Sequence, residues 1–312
     1  MAVAGEARAL LVTLLLFSAS CAPEAEGPTP GRPSFDGAVA MELVHAQVDF
    51  GPRIPGTDGH AAQLAWMLAR LDSLAPVVQA DTFTHVTSTS ADTLTLVNVL
   101  ARFRPDATRR IVLLAHWDTR PTADADPDPA RRSLPVPGAN DGASGTAVLL
   151  ALAELLGESP PPLGVDLLFV DGEDYGPGVD DMLLGARRYA ETVDEADRPL
   201  YGVLLDMVGD ADARFPVEGI SAQAAGVVVS KVWRAAERLG YEDQFPAAVG
   251  RDLTDDHVPL IEAGIPTADV IDFTYGPGNA YWHTTEDLPD KLSAETLGMV
   301  GEVMTELVYS GG

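Results

Sequence analysis

Three short runs that are apolar almost throughout constrain the fold of this chain more than any other feature. They are IVLLA (residues 111–115), VDLLFV (165–170) and VLLDMV (203–208). A strand covered on one face alternates apolar and polar residues, whereas a strand covered on both faces is apolar at nearly every position. The three runs therefore predict central strands of a sheet that carries helices on both sides.

Helical periodicity between these runs predicts strands that alternate with helices, as in largely parallel sheets. The predicted helices are Gly37–Phe50, Thr57–Leu74, Thr146–Leu156, Met182–Thr192, Ala224–Leu239 and Ala294–Val308. The predicted strands are Val77–Phe83, Thr93–Phe103, Arg110–Ala115, Val165–Val170, Gly202–Leu205 and Thr267–Ile271. The first two strands read as a hairpin, so the sheet should be mixed. The predicted fold class is α/β, a single-domain three-layer sandwich with a mixed, mostly parallel central sheet flanked by helices.

The first 35 residues differ in composition from the rest. Arg8 precedes an apolar run over residues 9–17, which is too short to span a bilayer and resembles a signal-peptide core. SASC, ending in Cys21, resembles a bacterial lipoprotein processing site, with ordinary signal cleavage as the alternative. We expect a signal peptide over 1–21, a flexible linker over 22–35 and one catalytic domain over 36–312. The expected location is exported, either lipid-anchored in the bacterial envelope or periplasmic.

The net charge of the chain is −27. Nucleic acid and anionic lipid surfaces would be repelled, so neither is an expected partner, and membrane contact would come only through a lipid on Cys21. The same field attracts cationic ligands such as the amino terminus of a peptide. We expect a monomer.

Acidic and histidine side chains follow the predicted central strands. His116 and Asp118 follow the first apolar run, Glu173 and Asp174 follow the second, and Asp206 lies in the third. In open α/β sheets ligands bind beyond the carboxyl ends of the strands, so these side chains should meet at one edge. Adjacent ionised carboxylates such as Glu173 and Asp174 repel each other unless a cation or a proton intervenes.

Further candidates lie in loops. Asp141 is in GANDGASG, Asp255 and Asp256 are in DDHVPL, and Trp282 and His283 are in YWHT, which TTED follows as a helix-capping pattern. Any one of these could be a turn acid, a cap or a core histidine. Together they predict a metal site of oxygen and imidazole ligands without thiolate, which suits catalytic zinc, with manganese or cobalt as substitutes. The chain lacks a G-x-S-x-G elbow, a phosphate loop and a dinucleotide fingerprint, which disfavours serine hydrolases and nucleotide enzymes.

The ordered motifs AHWDTRP, GANDGASG, FVDGEDYG, LLDMVG, DDHVPLIEAGIP and YWHT resemble the zinc aminopeptidase-like family. Within that family they resemble the bacterial glutaminyl cyclases, or glutaminyl-peptide cyclotransferases. The resemblance extends from FGPRIPGT to YWHTTEDLPDKL, nearly the whole mature chain.

The two branches of the family imply different roles for these residues. The aminopeptidase pattern implies two zinc ions and Glu173 as the base that activates water, with the metal ligands His116, Asp141, Asp174, Asp206 and His283. The cyclase pattern implies one zinc ion on Asp141, Asp174 and His283. Glu173 then shuttles a proton, Asp206 and Asp255 form an acid pair, and Trp282 is an apolar wall for the substrate.

Asp255, Trp282 and the HWDTRP and GEDYG motifs favour the cyclase branch. The expected function is therefore a zinc-dependent glutaminyl-peptide cyclotransferase that converts amino-terminal glutamine of peptides to pyroglutamate with release of ammonia. A two-zinc metallo-aminopeptidase is the alternative, and a non-enzymatic lipoprotein that keeps the fold is a third hypothesis. The role of His116 and the choice between Asp255 and Asp256 stay open. The remaining histidines are expected to be structural or exposed: His45, His60, His85 and His257.

Overall fold

The computed structural model describes residues 1–3 and 27–312. The predicted signal-peptide core and Cys21 lie outside the described residues, and the boundaries at residues 21 and 35 stay predictions. No helix within the described ranges has both the length and the apolar character that a membrane crossing requires.

The described chain forms six strands and eight helices, apart from short 3-10 turns. The strands are β1 (Val77–Val86), β2 (Thr93–Phe103), β3 (Arg110–His116), β4 (Gly164–Val170), β5 (Gly202–Asp206) and β6 (Thr267–Ile271). The helices are α1 (Gly37–Val48), α2 (Asp58–Asp72), α3 (Ala143–Glu158), α4 (Leu184–Thr192), α5 (Gly219–Ala224), α6 (Gly226–Arg238), α7 (His257–Glu262) and α8 (Ala294–Tyr309). Every predicted helix and strand is present, with ends shifted by a few residues. Helices α5 and α7 were not predicted, because six residues are too few to show helical periodicity.

The strands form one sheet in the order β1-β2-β4-β3-β5-β6. The β1–β2 hairpin is antiparallel, β2 pairs antiparallel with β4, and the other neighbours are parallel. The prediction of a mixed, mostly parallel sheet is confirmed. From β3 the chain proceeds to β4 on one side and to β5 on the other, and such a reversal opens a crevice at the carboxyl ends of the strands.

Side chains of the central strands alternate between two apolar clusters. Leu113 and Leu167 belong to the larger cluster, which also contains buried residues of α1, α3 and α8. Leu114 lies on the opposite face with Ala186 of α4 and Leu260 of α7. Because both faces are covered, an apolar residue is favoured at every position of these strands, which explains the runs in the sequence. The three-layer sandwich is confirmed.

Residues 29–35 lie along α8. The backbone N–H and hydroxyl of Thr29 donate to the Glu306 carboxylate at 3.0 and 2.9 Å, and Arg32 forms an ion pair with it at 3.0 Å. Phe35 is buried against Gly301, where an added Cβ would clash with the Phe35 ring. The Arg238 guanidinium also donates to Glu306, at 2.7 Å. One buried carboxylate therefore joins the amino-terminal segment, α6 and α8.

We expect Glu306→Gln to destabilise the protein by about 1–3 kcal/mol at pH 7, because charge-assisted hydrogen bonds are lost. Burial alone would raise the pKa of Glu306, but hydrogen bonds from Thr29 and Arg238 outweigh it and hold the pKa below its ordinary value of 4.5. Stability that depends on a depressed carboxyl pKa is present above the ordinary pKa and disappears as pH falls through the depressed one. The difference between wild type and variant should therefore shrink below pH 4.5.

Urea unfolding at pH 7 and at steps below pH 4.5 measures this difference. Glu237→Gln, an exposed change on α6, is the matched control and should shift stability by less than about 0.5 kcal/mol. A wild-type-to-variant gap that stays constant with pH would contradict the assignment.

Candidate metal centre

The seven predicted site residues line one cavity of about 250 Å³ at the carboxyl ends of the central strands. We call it the inner cavity. They are Asp141, Glu173, Asp174, Asp206, Asp255, Trp282 and His283. Loops contribute most of them: the loop before α3, the turn after β4, the loop before α7 and the loop before α8. The sheet edge therefore collects residues that lie far apart in the sequence.

Asp141, Asp174 and His283 form the first cluster that could hold a metal ion. The Nε2 atom of His283 lies 3.4 Å from Asp174 Oδ1 and 3.7 Å from Asp141 Oδ2. Its Nδ1 atom lies 3.3 Å from Asp124, which fixes the orientation of the ring. Arg120 donates to Asp174 Oδ1 at 2.6 Å, whereas the buried Asp174 Oδ2 has no hydrogen-bond partner among the described residues.

His116, Asp141 and Asp206 form a second cluster, which shares Asp141 with the first. The Nε2 atom of His116 lies 3.1 Å from Asp141 Oδ1 and 3.2 Å from Asp206 Oδ1. Burial alone would lower the pKa of His116, but hydrogen bonds to Asp118, Asp141 and Asp206 raise it well above its ordinary value. In this arrangement His116 lies between two carboxylates and is hydrogen-bonded to Asp206.

The spacing of the two clusters differs in a way that bears on metal binding. Ligand atoms at ~2.0–2.2 Å from a tetrahedral zinc ion lie about 3.3–3.6 Å from one another. The His283–Asp174 and His283–Asp141 separations, 3.4 and 3.7 Å, are close to this spacing. The His116 separations are shorter: Nε2 is hydrogen-bonded to Asp206 at 3.2 Å and lies at ion-pair distance, 3.1 Å, from Asp141. The His283 separations are therefore compatible with a zinc ion shared by the first cluster, whereas His116 lies closer to its two carboxylates.

Asp287 holds the loop that carries Asp141. Its carboxylate accepts hydrogen bonds from the backbone N–H of Asn140 at 2.8 Å and of Asp141 at 3.2 Å, and from the Tyr275 hydroxyl at 2.9 Å. The prediction that TTED caps a helix is wrong, because its aspartate, Asp287, supports this loop, and Ser293 caps α8. Sequence reasoning did not identify Asp287, since an acid after a turn has the same local pattern in either role.

Gly142 follows Asp141 at a close approach between the loop and His116. A Cβ at this position would lie 2.5 Å from the His116 ring. A side chain at position 142 of the GANDGASG motif would thus clash with His116, which explains the glycine there. Asp141 does not cap α3, whose N-cap makes no side-chain hydrogen bond.

Asp118 holds the turn that carries the Glu173–Asp174 pair. Its two carboxylate oxygens accept the backbone N–H groups of Glu173 at 3.1 Å and of Asp174 at 3.2 Å. The Glu173 side chain accepts no hydrogen bond from any residue in the described ranges, although it is only 8% exposed. Burial, then the charges of Asp174 and Asp255, raise the pKa of Glu173 well above its ordinary value.

Asp255, and not its neighbour Asp256, lines the inner cavity. Asp255 Oδ1 accepts the backbone N–H of Asp256 at 2.6 Å, and burial with the charge of Asp206 raises the pKa of Asp255 to about 7. Asp256 is fully buried beyond the cavity. Nearby, His257 is also buried, with Nε2 3.1 Å from Glu218.

An apolar wall closes one side of the inner cavity. Trp282 stacks on the His283 ring with centroids 3.6 Å apart and meets Phe273 edge-on at 5.1 Å. Leu253 and Ile271 extend this wall. Trp282 was predicted from its position beside His283. Nothing in the local sequence distinguishes Phe273, Leu253 and Ile271 from ordinary core residues. Trp117 does not line the cavity and stacks on His60 behind it.

Residues 98–308 match the model of peptidase family M28. Aminopeptidase YwaD of Bacillus subtilis (strain 168) is 29% identical over 210 residues, which are 64% of this chain and 40% of that protein. The chain thus spans less than half the length of that relative. The glutaminyl-peptide cyclotransferase of Bos taurus is 25% identical over 296 residues, or 82% of this chain and 77% of that protein.

A solved glutaminyl cyclase from Bacteroides thetaiotaomicron, bound to N-acetylhistamine, superposes with a TM-score of 0.87 at 34% identity. The match covers 90% of this chain and 100% of that one. The expected resemblance to bacterial glutaminyl cyclases and the predicted fold class are both confirmed. With the family model matching more than half of its residues, this chain belongs to peptidase family M28.

Proposed function

We propose that the protein is a zinc-dependent glutaminyl-peptide cyclotransferase that acts on the amino termini of peptides and proteins. The observation that carries the proposal is the unequal spacing of the two ligand clusters. One zinc ion would be held by Asp141, Asp174 and His283, while His116 stays hydrogen-bonded to Asp206 and paired with Asp141. Cyclisation needs no activated water, so a single metal ion is sufficient.

The donor set supports zinc. Two carboxylates and one imidazole form a three-ligand site that leaves a fourth position open, as in catalytic zinc sites. Burial and the charge of Asp141 raise the pKa of Asp174 to about 7, against the opposing effects of His283 and Arg120. A bound cation would favour the ionised carboxylate. When bound, zinc would supply a Lewis acid for the side-chain amide of the substrate.

In this proposal Glu173 moves the proton. The α-amine nitrogen of an amino-terminal glutamine attacks the carbon of its own γ-amide, the carbon–nitrogen bond of that amide breaks, and ammonia leaves. Glu173 accepts the proton that the amine loses and returns it to the departing nitrogen. Its carboxylate is suited to this because it lines the cavity and accepts no hydrogen bond from the described residues.

Asp206, Asp255 and Trp282 would hold the substrate in a folded conformation. The two carboxyls lie in one buried cavity and resist simultaneous ionisation, so one can hold a proton and donate while the other accepts from the substrate amine. Trp282, with Phe273, supplies an apolar wall against which the glutamine side chain folds back on its amine. Positioning of this kind is a major source of rate in intramolecular reactions.

A two-zinc aminopeptidase is the second candidate. Asp141 belongs to both clusters, as a bridging carboxylate would, and His116 with Asp206 could complete a second site. This candidate requires His116 to exchange its hydrogen bonds for metal coordination.

The first prediction separates cyclisation from hydrolysis. The zinc-loaded protein should release ammonia from a Gln-initiated peptide, and Glu173→Gln should lower kcat by about 10²- to 10⁴-fold while zinc content is unchanged. Coupled ammonia detection and mass spectrometry measure both. Glu158→Gln, an exposed change at the end of α3, is the control and should keep full activity. Release of free amino acids without ammonia would favour the aminopeptidase instead.

The second prediction concerns the metal. The wild type should bind one zinc ion per chain, and Asp174→Ala should lose it, because one of three protein ligands is removed. Asp124→Asn, which changes the partner of His283 Nδ1 and weakens the ion pair between Asp124 and Arg120, should lower zinc affinity by about 10- to 100-fold. Zinc competition titrations and elemental analysis measure these changes.

His116→Ala and exposed Asp72→Ala are the comparison variants for this titration. Both should retain one zinc ion per chain. Two ions in the wild type, with one lost in His116→Ala, would overturn the single-metal assignment in favour of the aminopeptidase.

Export with lipidation at Cys21 is a further proposal, and its support is the sequence alone. We expect the full chain, expressed in a bacterium that processes lipoproteins, to fractionate with membranes. Cys21→Ala should shift it to the soluble envelope fraction, because the acylated residue is lost. Equal membrane association of both forms would contradict a lipid anchor at this residue.

A further inference from the structure

A second cavity, of about 400 Å³, adjoins the inner cavity. We call it the outer cavity. Leu253, Ile271 and Phe273 line both cavities, so the two meet at these apolar side chains. The remaining lining comes from the loop before α7, the segment before α5 and the loop after β6. A ligand bound in the inner cavity would have the outer cavity beside it.

The two carboxylates in the lining of the outer cavity are satisfied by the protein itself. Glu218 accepts the backbone N–H groups of Ile220, Ser221 and Leu253 at 2.6–2.9 Å. Asp272 accepts backbone N–H groups of Arg214 at 3.2 Å and Thr274 at 2.9 Å. Because these hydrogen bonds occupy their oxygens, neither carboxylate is free to pair fully with a cationic ligand.

Arg251 is the charged group of the outer cavity that has no such partner. Its side chain is exposed and lines the cavity, and it forms no ion pair or side-chain hydrogen bond with any residue of 27–312. The backbone around it is fixed, because the carbonyl of Arg251 accepts the N–H of Gly219 at 2.7 Å and Gly250 donates to Val217 at 2.7 Å. The backbone that carries this unpaired guanidinium is thus fixed beside the candidate active site of a chain whose net charge is −27.

Asn279 adds an uncharged polar group to the same lining. Its buried side-chain oxygen has no hydrogen-bond partner within the described part of the chain. A peptide backbone in the cavity could supply the missing donor. The outer cavity therefore combines an apolar surface, one unpaired amide and one unpaired cation.

We propose that the outer cavity is a subsite for the second and third residues of the substrate peptide, and that Arg251 there selects a carboxylate. The inference rests on the proposed function, which assigns the amino-terminal glutamine to the inner cavity. An extended chain advances ~3.3–3.6 Å per residue, so the residues after that glutamine reach the adjoining space. The general acidity of the protein repels acidic peptides, and Arg251 provides a local site that favours them.

Kinetics on a matched peptide series test the subsite. The peptides are Gln-Glu-Ala-Ala-amide, Gln-Ala-Glu-Ala-amide, neutral Gln-Ala-Gln-Ala-amide, and the tripeptide Gln-Ala-Gln with a free carboxyl terminus. At low ionic strength, wild type should prefer a carboxylate-bearing peptide over the neutral one by about two- to fivefold in kcat/KM, the range for one exposed ion pair. Preference for a Glu peptide assigns the carboxylate to a side chain, and preference for the tripeptide assigns it to the chain end.

Arg251→Gln should abolish the preference, while Arg251→Lys should keep part of it because the charge is retained. Arg234→Gln, an exposed arginine on α6 that does not line either cavity, is the matched control and should leave it unchanged. Equal kcat/KM for acidic and neutral peptides in wild type would overturn the subsite. A preference that survives in Arg251→Gln would also overturn it.

Binding distinguishes failure of the subsite from failure of the proposed reaction. Calorimetric Kd values for the same peptides are measured on Glu173→Gln with and without Arg251→Gln. If wild type releases no ammonia from any peptide, the cyclase proposal fails, but an acidic-over-neutral Kd ratio that requires Arg251 still supports the subsite. Equal Kd values for acidic and neutral peptides refute it, whatever the reaction.

Discussion

Mutual repulsion among buried carboxylates is the constraint on which the rest of this structure depends. Asp141, Asp174, Glu173, Asp206 and Asp255 line one small cavity, and each is less than a tenth exposed. Ionised carboxylates that share one small cavity repel one another, and burial further raises the free energy of their charged forms. The fold relieves part of this repulsion with Arg120 on Asp174 and with His116 between Asp141 and Asp206. The repulsion that remains would be relieved by a bound divalent cation or by a proton retained on one carboxyl.

Two other acids, Asp118 and Asp287, fix the geometry of the site without lining it. Each accepts backbone N–H groups of the residues that carry the cavity's carboxylates, so the loops are held from behind. Hydrogen bonds from backbone N–H groups to a fixed carboxylate orient the loop that carries them. The positions of the candidate ligands therefore depend on acids that do not themselves line the cavity.

The linings of the two adjoining cavities differ in charge and polarity. The inner cavity is acidic with one apolar wall and suits a cationic amine, while the outer cavity is apolar with one unpaired guanidinium. The shared side chains Leu253, Ile271 and Phe273 let one peptide reach both. Affinity for the amino terminus and discrimination among the following residues would then arise from opposite charges only a few residues apart along the substrate.

The sequence by itself determined the fold class and the inventory of the site, since both follow from local patterns. Burial on both faces makes β3, β4 and β5 continuously apolar, and the residues just beyond them must meet at the sheet edge. The same logic indicated Glu173 and Asp174, while the family resemblance of GANDGASG and YWHT indicated Asp141 and His283.

Only the tertiary structure decided which side chains face the cavity and at what distance. Three features depend on loop conformation: Asp255 lines the inner cavity rather than Asp256, His116 lies close to two carboxylates, and Phe273 and Arg251 line the outer cavity. Loop conformations are set by hydrogen bonds to residues that are distant in the sequence, such as Asp118 and Asp287. The periodicity of apolar residues carries no information about such contacts.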